Sequence, residues 1–382
     1  MRVAIYHNIL WSKYKGVVFS QVHLESEPRG ITPSFIQIAE TEEIRLGLGG
    51  VDLSYHQYPF RLLFRGSYGN ASRIRRIGAL ARDLYKNPVD LVVMPGYHRV
   101  EYWAMLAVCI LLRRKRAVFC DSTSIDRPKV AWRELAKRWF FGWCNGFFCY
   151  GSRSKQYIMS YGVSESKIAY RCQAAALPHG YGADKVLSHY QWNWHARADE
   201  PRFLYVGRLS IEKGLQDLFA AFCIIHKKFP KARLELIGAG PLAETLKRRA
   251  ADIGMTHAIS FPGSKSLDEI AALFQTCTAV VLPSHSEPWG LVINEALSYG
   301  CPVVVSSACG CLPDLVLDGV TGYSFEVGNV DALANALDSV RHLSNNRQAV
   351  ARQCLEVVSD YTPERAATQI LDGCVRMVGN SG

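Results

Sequence analysis

The chain has 382 residues, 49% of them hydrophobic and 20% charged, which is enough to bury a large core and long enough to expect two domains. The apolar run at 102–112 falls short of the roughly 20 residues of a membrane span, residues 1–11 lack the apolar stretch and cleavage site of a signal peptide, and the 12 cysteines show neither zinc-site nor disulfide-scaffold spacing, so a membrane-embedded, exported or disulfide-stapled protein is not expected and the thiols read as reduced core residues of a cytosolic protein. Residues 1–190 carry 27 Lys and Arg against 14 Asp and Glu, and residues 191–382 carry 17 against 20, so the excess of a +10 chain lies in its first half, where it is either solvated surface or a contact with phospholipid, a diphosphate-linked acceptor or nucleic acid.

In chain order, residues 2–6, 91–94, 117–120 and 147–150 are apolar runs of strand length separated by helical segments, which predicts a parallel sheet covered by helices. Within this half, residues 72–86 (SRIRRIGALARDLYK) place Ile74, Ile77, Ala81 and Leu84 at helical spacing, with Leu80 beside them. Arg73, Arg75, Arg76, Arg82 and Lys86 flank that stripe, so the helix either covers the sheet or meets an anionic surface. Arg113, Arg114, Lys115 and Arg116 add four consecutive cations. His98 follows the strand at 91–94 and Asp121 the strand at 117–120. Each is a candidate for chemistry; the plain alternatives are a locally hydrogen-bonded loop histidine and an N-cap or turn aspartate.

At 188–201 (SHYQWNWHARADEP) the periodicity is lost and the segment closes on a proline before a new strand, which reads as a linker. Beyond it the alternation is regular: a strand at 203–206, a stripe of Leu215, Leu218, Phe219, Phe222 and Ile225, a strand at 234–237 and a helix at 242–251. A strand at 279–282, a helix at 291–298 and a strand at 302–305 follow. Thr362, Pro363 and Glu364 open a last helix. The expected organisation is an N-terminal Rossmann-like domain at 1–187, a linker at 188–201, a second domain at 202–359, and a C-terminal helix at 360–382 available to pack back on the first. The fold class is α/β, two doubly wound Rossmann-like domains facing a central cleft, with ligands at the carboxyl ends of the strands.

Two clusters in the second half carry the chemistry. GRLSIEKG, residues 207–214, sits between a strand and a helix. Gly207 lets a ligand approach the backbone, Arg208 can fork onto phosphate oxygens, and Lys213 adds a point charge at a helix N-terminus; read alone, both cations are equally ordinary loop residues. SHSEPWGLVINEA, residues 284–296, also bridges strand and helix. Its Glu287 and Glu295 are eight residues apart, about 80° from alignment on one helix, and Pro288 and Gly290 leave Glu287 in the loop. The backbone N–H groups near Gly290, Leu291 and Val292 suit a phosphate, Glu295 ribose hydroxyls and Glu287 sugar hydroxyls. In isolation these acids are a first-turn helix residue and a loop solvator. GAGPLA at 238–243 fits a dinucleotide fingerprint, but the acid expected after the next strand is missing at 259–262. A tight turn lining the nucleotide pocket through Gly240 is expected instead, with Gly263 beside the base.

Together, GRLSIEKG, the E-x7-E of Glu287 and Glu295, the GAGP and FPGS turns between them, and the continuation through Phe325 resemble the retaining glycosyltransferases of family 4 (glycosyl transferases group 1), which have the GT-B fold. The resemblance covers about residues 200–340. It implies that Arg208 and Lys213 neutralise a donor diphosphate, that Gly290 to Val292 bind it through amides, that Glu295 holds the ribose and Glu287 the transferred sugar, and that His98 contacts that sugar. Transfer of a hexose-type sugar from a nucleotide-sugar donor with retention is implied, with no metal or other cofactor, and no Asp-x-Asp is present to hold one. The first half departs from the pattern at Lys15-Gly16-Val17, where a glycine-rich turn is usual, and at residues 177–180 (LPHG). Asp121 is then at most an acceptor-orienting residue. Cell-surface polysaccharide or glycolipid assembly is the expected setting. Peripheral attachment to an anionic membrane surface on the cytoplasmic side, a lipid-linked saccharide acceptor and no nucleic acid are also expected; the alternative is a non-catalytic sugar-nucleotide-binding peripheral membrane protein.

Overall fold

Strands covered by helices on both faces need unbroken apolar runs, and that requirement selects the centre of each sheet in the computed structural model. The structure describes residues 1–45, 49–125, 130–193 and 200–379. They form two units, Met1–Ala176 with Thr362–Gly382, and Leu177–Tyr361.

The first unit holds seven parallel strands, β1 (Arg2–Ile9), β2 (Thr32–Thr41), β3 (Phe60–Ser67), β4 (Leu91–Met94), β5 (Lys115–Cys120), β6 (Gly146–Cys149) and β7 (Ile168–Tyr170), in the order β3-β2-β1-β4-β5-β6-β7. The four strands expected from sequence are β1, β4, β5 and β6, the middle of this sheet. β2 escaped because Gln37 interrupts its apolar run; the amide is buried and donates to Tyr58 Oη at 2.9 Å. β3 is a half-buried edge strand carrying two arginines, and β7 has only three residues.

Helices α1 (Lys13–Ser26), α2 (Arg73–Lys86), α3 (Val100–Leu111), α4 (Ala131–Gly142) and α5 (Ser152–Met159) complete the alternation. In α2, Leu80 and Leu84 are buried, but Ile74 is 82% exposed and so not part of the covering stripe. Arg76 is withdrawn from the surface by Glu101 (2.6 Å) and by the carbonyl oxygens of Tyr68 (2.7 Å) and Ala71. The run at 113–116 is likewise structural: Arg114 donates to the carbonyls of Leu84 and Asn87, Lys115 to Val378, and Arg116 to Trp143.

The second unit contains α6 (Ala183–Asn193), β8 (Arg202–Val206), α7 (Leu215–Lys228), β9 (Arg233–Ile237), α8 (Ala243–Asp252), β10 (Ile259–Gly263) and α9 (Leu267–Thr276). It continues through β11 (Ala279–Leu282), α10 (Leu291–Ser298), β12 (Val303–Ser306), α11 (Leu312–Leu315), β13 (Gly322–Phe325), α12 (Val330–Arg341) and α13 (Arg347–Val358). Its parallel order is β10-β9-β8-β11-β12-β13. Both sheets therefore reverse their winding beside their first strand, between β1 and β4 and between β8 and β11, and such switch points are where open α/β sheets bind ligands.

The linker expected at 188–201 needs correction. The units divide after Ala176, and residues 188–193 are helical; residues 194–199 lie outside the described residues. Val186 and Tyr190, one turn apart, are buried, and Tyr190 Oη donates to Tyr299 O at 2.7 Å, so a segment of polar and aromatic composition is held by tertiary packing. The last helix, α14 (Pro363–Gly379), starts on the Thr362 cap, whose Oγ1 accepts from Arg365 N at 3.2 Å. It lies in the first unit against α1, with Thr368 Oγ1 donating to Glu25 at 3.0 Å and Asp372 paired to Arg29 at 3.0 Å.

Candidate active site

The chain leaves β8 through Gly207–Leu209, which is clamped to the turn after β9. Gly207 N donates to Ile237 O (3.0 Å), Leu209 N to Ala239 O (2.9 Å) and Leu242 N to Leu209 O (3.0 Å). A Cβ on Gly240 would lie 2.7 Å from the carbonyl carbon of Leu209, and one on Gly238 2.9 Å from that of Gly207. The GAGP glycines thus let two loops meet backbone to backbone, which accounts for the fingerprint-like spacing without a dinucleotide. Gly263 ends β10 at φ +80°, and its carbonyl accepts from Gly238 N at 2.9 Å.

Beyond Leu209 the first cluster docks onto the second. Arg208 Nη2 donates to Glu212 Oε1 at 2.8 Å, and Ser210 Oγ to the same oxygen at 2.6 Å. His285 and Ser286 donate their backbone N–H groups to Glu212 O at 2.9 and 3.4 Å. His285 Nε2 meets Asp217 Oδ2 at 2.6 Å. Lys213 Nζ bonds Glu287 Oε2 at 2.5 Å, and the two side chains are only 15% and 16% exposed. Sequence reading sends Lys213 to a diphosphate and Glu287 to a sugar as separate contacts; the structure joins them. Each holds the other in place, the ammonium keeping protons for phosphate oxygens and the carboxylate one oxygen for a hydroxyl.

Glu287 lies in the loop between β11 and α10, anchored by Gly310 N donating to Glu287 O at 2.8 Å. Trp289 Nε1 donates to Asn294 Oδ1 at 2.7 Å and so fixes the loop onto the helix it opens. Gly290 caps α10 at φ +102°, a conformation that favours glycine. No capping side chain and no first-turn acid occupy this N-terminus, so the Leu291 and Val292 amides present its partial positive charge unneutralised. Glu295 stands in the second turn, half-buried. Burial alone pushes its carboxyl up to about 7, with no neighbouring charge or hydrogen bond contributing. A helix acid without a partner is a stronger functional signal than its position in a motif.

In the first unit, His98 and Asp121 follow the adjacent strands β4 and β5, and both are exposed. The His98 ring packs edge-on to Tyr102 at 5.6 Å. Sequence reading missed a buried cationic cluster at this end of the sheet. Arg171, the residue after β7, is 0% exposed and Lys15, in the first turn of α1, 2%. The guanidinium lies 4.7 Å from the Tyr150 ring and 5.4 Å from that of Phe119. It donates to Gln173 Oε1 at 2.9 Å, while its Nε and Nη2 have no hydrogen-bond partner. Lys15 donates to Tyr150 Oη. Burial and the Arg171 charge drive the Lys15 ammonium well below its usual range, opposed by Asp121. A buried guanidinium beside a lysine whose charged form burial disfavours, with Asp121 the acid that opposes this, is a place where a bound anion would be stabilising. The sequence signal was Lys15-Gly16-Val17 standing where a glycine-rich turn is usual. Among the described residues, no three His, Cys, Asp or Glu side chains are placed to hold a metal ion.

Comparison with known proteins bears on both units. Residues 189–354 match the family model described as glycosyl transferases group 1. Over 175 residues the chain is 33% identical to the sulfoquinovosyl transferase SQD2 of Arabidopsis thaliana, covering 45% of this chain and 32% of that one. Over 183 residues it is 37% identical to a glycogen synthase of Mycobacterium tuberculosis, covering 46% and 44%. The chain thus spans less than half the length of these curated relatives. The whole fold matches solved GT-B structures: HepE of Anabaena with UDP and glucose (TM-score 0.69, 17% identity, 97% and 98% covered) and a glycosyltransferase of Rickettsia africae (TM-score 0.72, 15% identity, 100% and 99% covered).

Proposed function

We propose, from the match of residues 189–354 to the glycosyl transferases group 1 family model, that the chain is a retaining glycosyltransferase moving a hexose-type sugar from a nucleotide-diphosphate donor to an acceptor hydroxyl. The observation that carries this reading is the meeting of Lys213 and Glu287 at 2.5 Å across the β8/β11 switch point, with the unpartnered Glu295 on the helix that follows. In the proposed reaction the bond from the anomeric carbon to the diphosphate oxygen breaks, and the acceptor oxygen bonds that carbon on the same face. The acceptor proton passes to the leaving phosphate. Arg208, Lys213 and the α10 amides stabilise the charge that collects on the diphosphate as the bond opens. Glu287 orients the sugar and Glu295 the ribose; the UDP and glucose bound by a solved protein of this fold favour such a donor.

The first unit takes the acceptor in this reading. Lys15 and Arg171 fit an acceptor that carries phosphate, such as a lipid-linked saccharide in polysaccharide or glycolipid assembly, reached from the cytoplasmic face of a membrane. His98 serves transfer and Asp121 orients the acceptor. Charge placement by the protein is proposed to suffice without a metal, the sequence having no Asp-x-Asp.

A panel of nucleotide sugars tests the proposal through thermal stabilisation and slow donor hydrolysis. One donor class should give both. Stabilisation without hydrolysis or transfer to any lipid-linked acceptor would favour the non-catalytic binder, and no stabilisation by any donor would sink the donor site.

A further inference from the structure

No described helix is long and apolar enough to cross a membrane, and the peripheral attachment proposed above calls for a surface. The expected candidate was the basic helix α2, but Arg76 and three cations of the 113–116 run are spent on internal partners. The exposed apolar residues lie next to it, on α3 and α4. On α4, Trp132 is 66%, Leu135 70% and Trp139 53% exposed, and Trp143 just beyond its end is 44% exposed. At spacings of three, four and four these residues fall within about 80° of one another around the helix. The opposite side of α4 buries Phe140 and Phe141 in the core, so the outer stripe is not a face awaiting its own sheet. On α3, Val100 and Leu111 are exposed, Leu111 by 81%, and Trp103 stacks on Trp139 with centroids 6.0 Å apart and planes 3° from parallel. That stack makes the two helices one apolar surface. Soluble proteins rarely leave so many large apolar side chains together in water unless something covers them.

We propose that the α3–α4 face is inserted into the interface of an anionic bilayer, with Trp132, Leu135, Trp139 and Leu111 entering the acyl boundary. This rests on the peripheral attachment proposed above and replaces its purely electrostatic form. Charge decides between a bilayer and a protein partner. Arg133 and Arg138 are exposed and flank the stripe on its two sides, Arg133 lying 5.3 Å from the Trp132 ring. Glu134, the acid of the same helix, is neutralised by Lys137 at 2.8 Å. Through the Arg76–Glu101 bond α2 joins α3, and its exposed Arg73, Arg75, Arg82 and Lys86 extend the positive rim. Indoles at the water boundary, leucines between them and arginines outside them are what an interfacial helix presents to anionic headgroups. Insertion predicts binding in two parts, a salt-sensitive one from the rim and a salt-resistant one from the stripe.

The full chain is sedimented with phosphatidylcholine vesicles, with and without phosphatidylglycerol, at low and high salt. Two variants are compared with it: Leu135→Asp, an exposed position, and Arg73→Ser with Arg75→Ser. Donor-induced stabilisation and the melting temperature confirm that each remains folded. Wild type should bind the anionic vesicles and retain part of that binding at high salt. Leu135→Asp should lower partitioning at least 10-fold at both salts, the arginine pair only at low salt. Wild-type binding with Leu135→Asp unchanged would overturn this face while leaving membrane attachment standing. No wild-type binding to either vesicle would overturn both. A wild-type dimer that Leu135→Asp makes monomeric, without vesicle binding, would assign the stripe to a second copy of the chain and also refute the proposal.

Discussion

Glu295 offers the most direct test of the donor site, because its environment sets a number. Burial lifts its carboxyl to about 7 with no compensating partner, so it changes charge within the range where binding is easily measured. If its ionised form accepts ribose hydroxyls, the competent fraction rises from about one tenth at pH 6 to about nine tenths at pH 8, and donor affinity should rise about 10-fold with it. The probe is a nucleotide sugar, whose diphosphate diester keeps its charge across this range, titrated calorimetrically at pH 6, 7 and 8. Glu295→Gln should lose the pH dependence and weaken binding by about 100-fold at pH 8, the worth of two hydrogen bonds to a charged group. Stability should move the other way. The folded pKa lies above the unfolded one, so the folded state binds more protons between them, and the wild-type protein should lose stability as pH rises from about 4.5 to 7. Glu295→Gln should flatten that loss. A wild-type affinity flat from pH 6 to 8, or a 10-fold rise retained in Glu295→Gln, would refute the ribose assignment.

Lys213→Ala should lower turnover by at least about 100-fold, and combining it with Glu287→Gln should cost far less than the two separate losses added, because each residue orients the other; additive losses in a double-mutant cycle would show that the 2.5 Å pair is incidental. Glu287→Gln alone should lower turnover more than nucleoside-diphosphate affinity, and the reverse order, read from steady-state kinetics beside calorimetry, would exchange the two roles. His98→Ala should impair transfer and leave nucleoside-diphosphate binding as it was, since the histidine belongs to the other unit; transfer at the wild-type rate would reduce it to its packing on Tyr102. Gly240→Ala should destabilise the chain by about 2 kcal/mol or more through the clash with Leu209, detected as a lower melting temperature even without donor, and an unchanged melt would show that the GAGP turn yields.

The second unit was legible because its chemistry sits where local sequence must announce it. Strands β8 and β11 are short apolar runs, and the loops after them need glycine or proline for their turns, so Gly207, Gly214, Pro288 and Gly290 mark the places at which Arg208, Lys213, Glu287 and Glu295 emerge. What the sequence could not display was a distance. Lys213 and Glu287 are 74 residues apart and carry opposite charges that suit two different parts of a ligand; only the fold makes them one pair. Tyr190 failed for a similar reason, since an aromatic within SHYQWNW looks like loop until Tyr299 and Arg347 are placed beside it.

The first unit shows how a net charge misleads when taken as a field. An excess of 27 cations over 14 acids in residues 1–190 reads as one basic surface, yet its members do different physical work. Arg76, Arg114, Lys115 and Arg116 satisfy carbonyl oxygens or a buried acid, a role that composition cannot separate from solvation. Arg171 and Lys15 are inside, where a cation without an equal acid is costly and so points to a ligand rather than to a bilayer. Of the remainder, the exposed cations of α2 and of the rim of α4 lie nearest the apolar face, and charge of that kind alone would not give the salt-resistant binding proposed above. The exposed indoles of α4 would supply that part. They were invisible as a signal because at 131–142 the sequence AWRELAKRWFFG offers apolar residues to both sides of a helix, and only the packed structure shows that Phe140 and Phe141 go inside while Trp132 and Trp139 stay out.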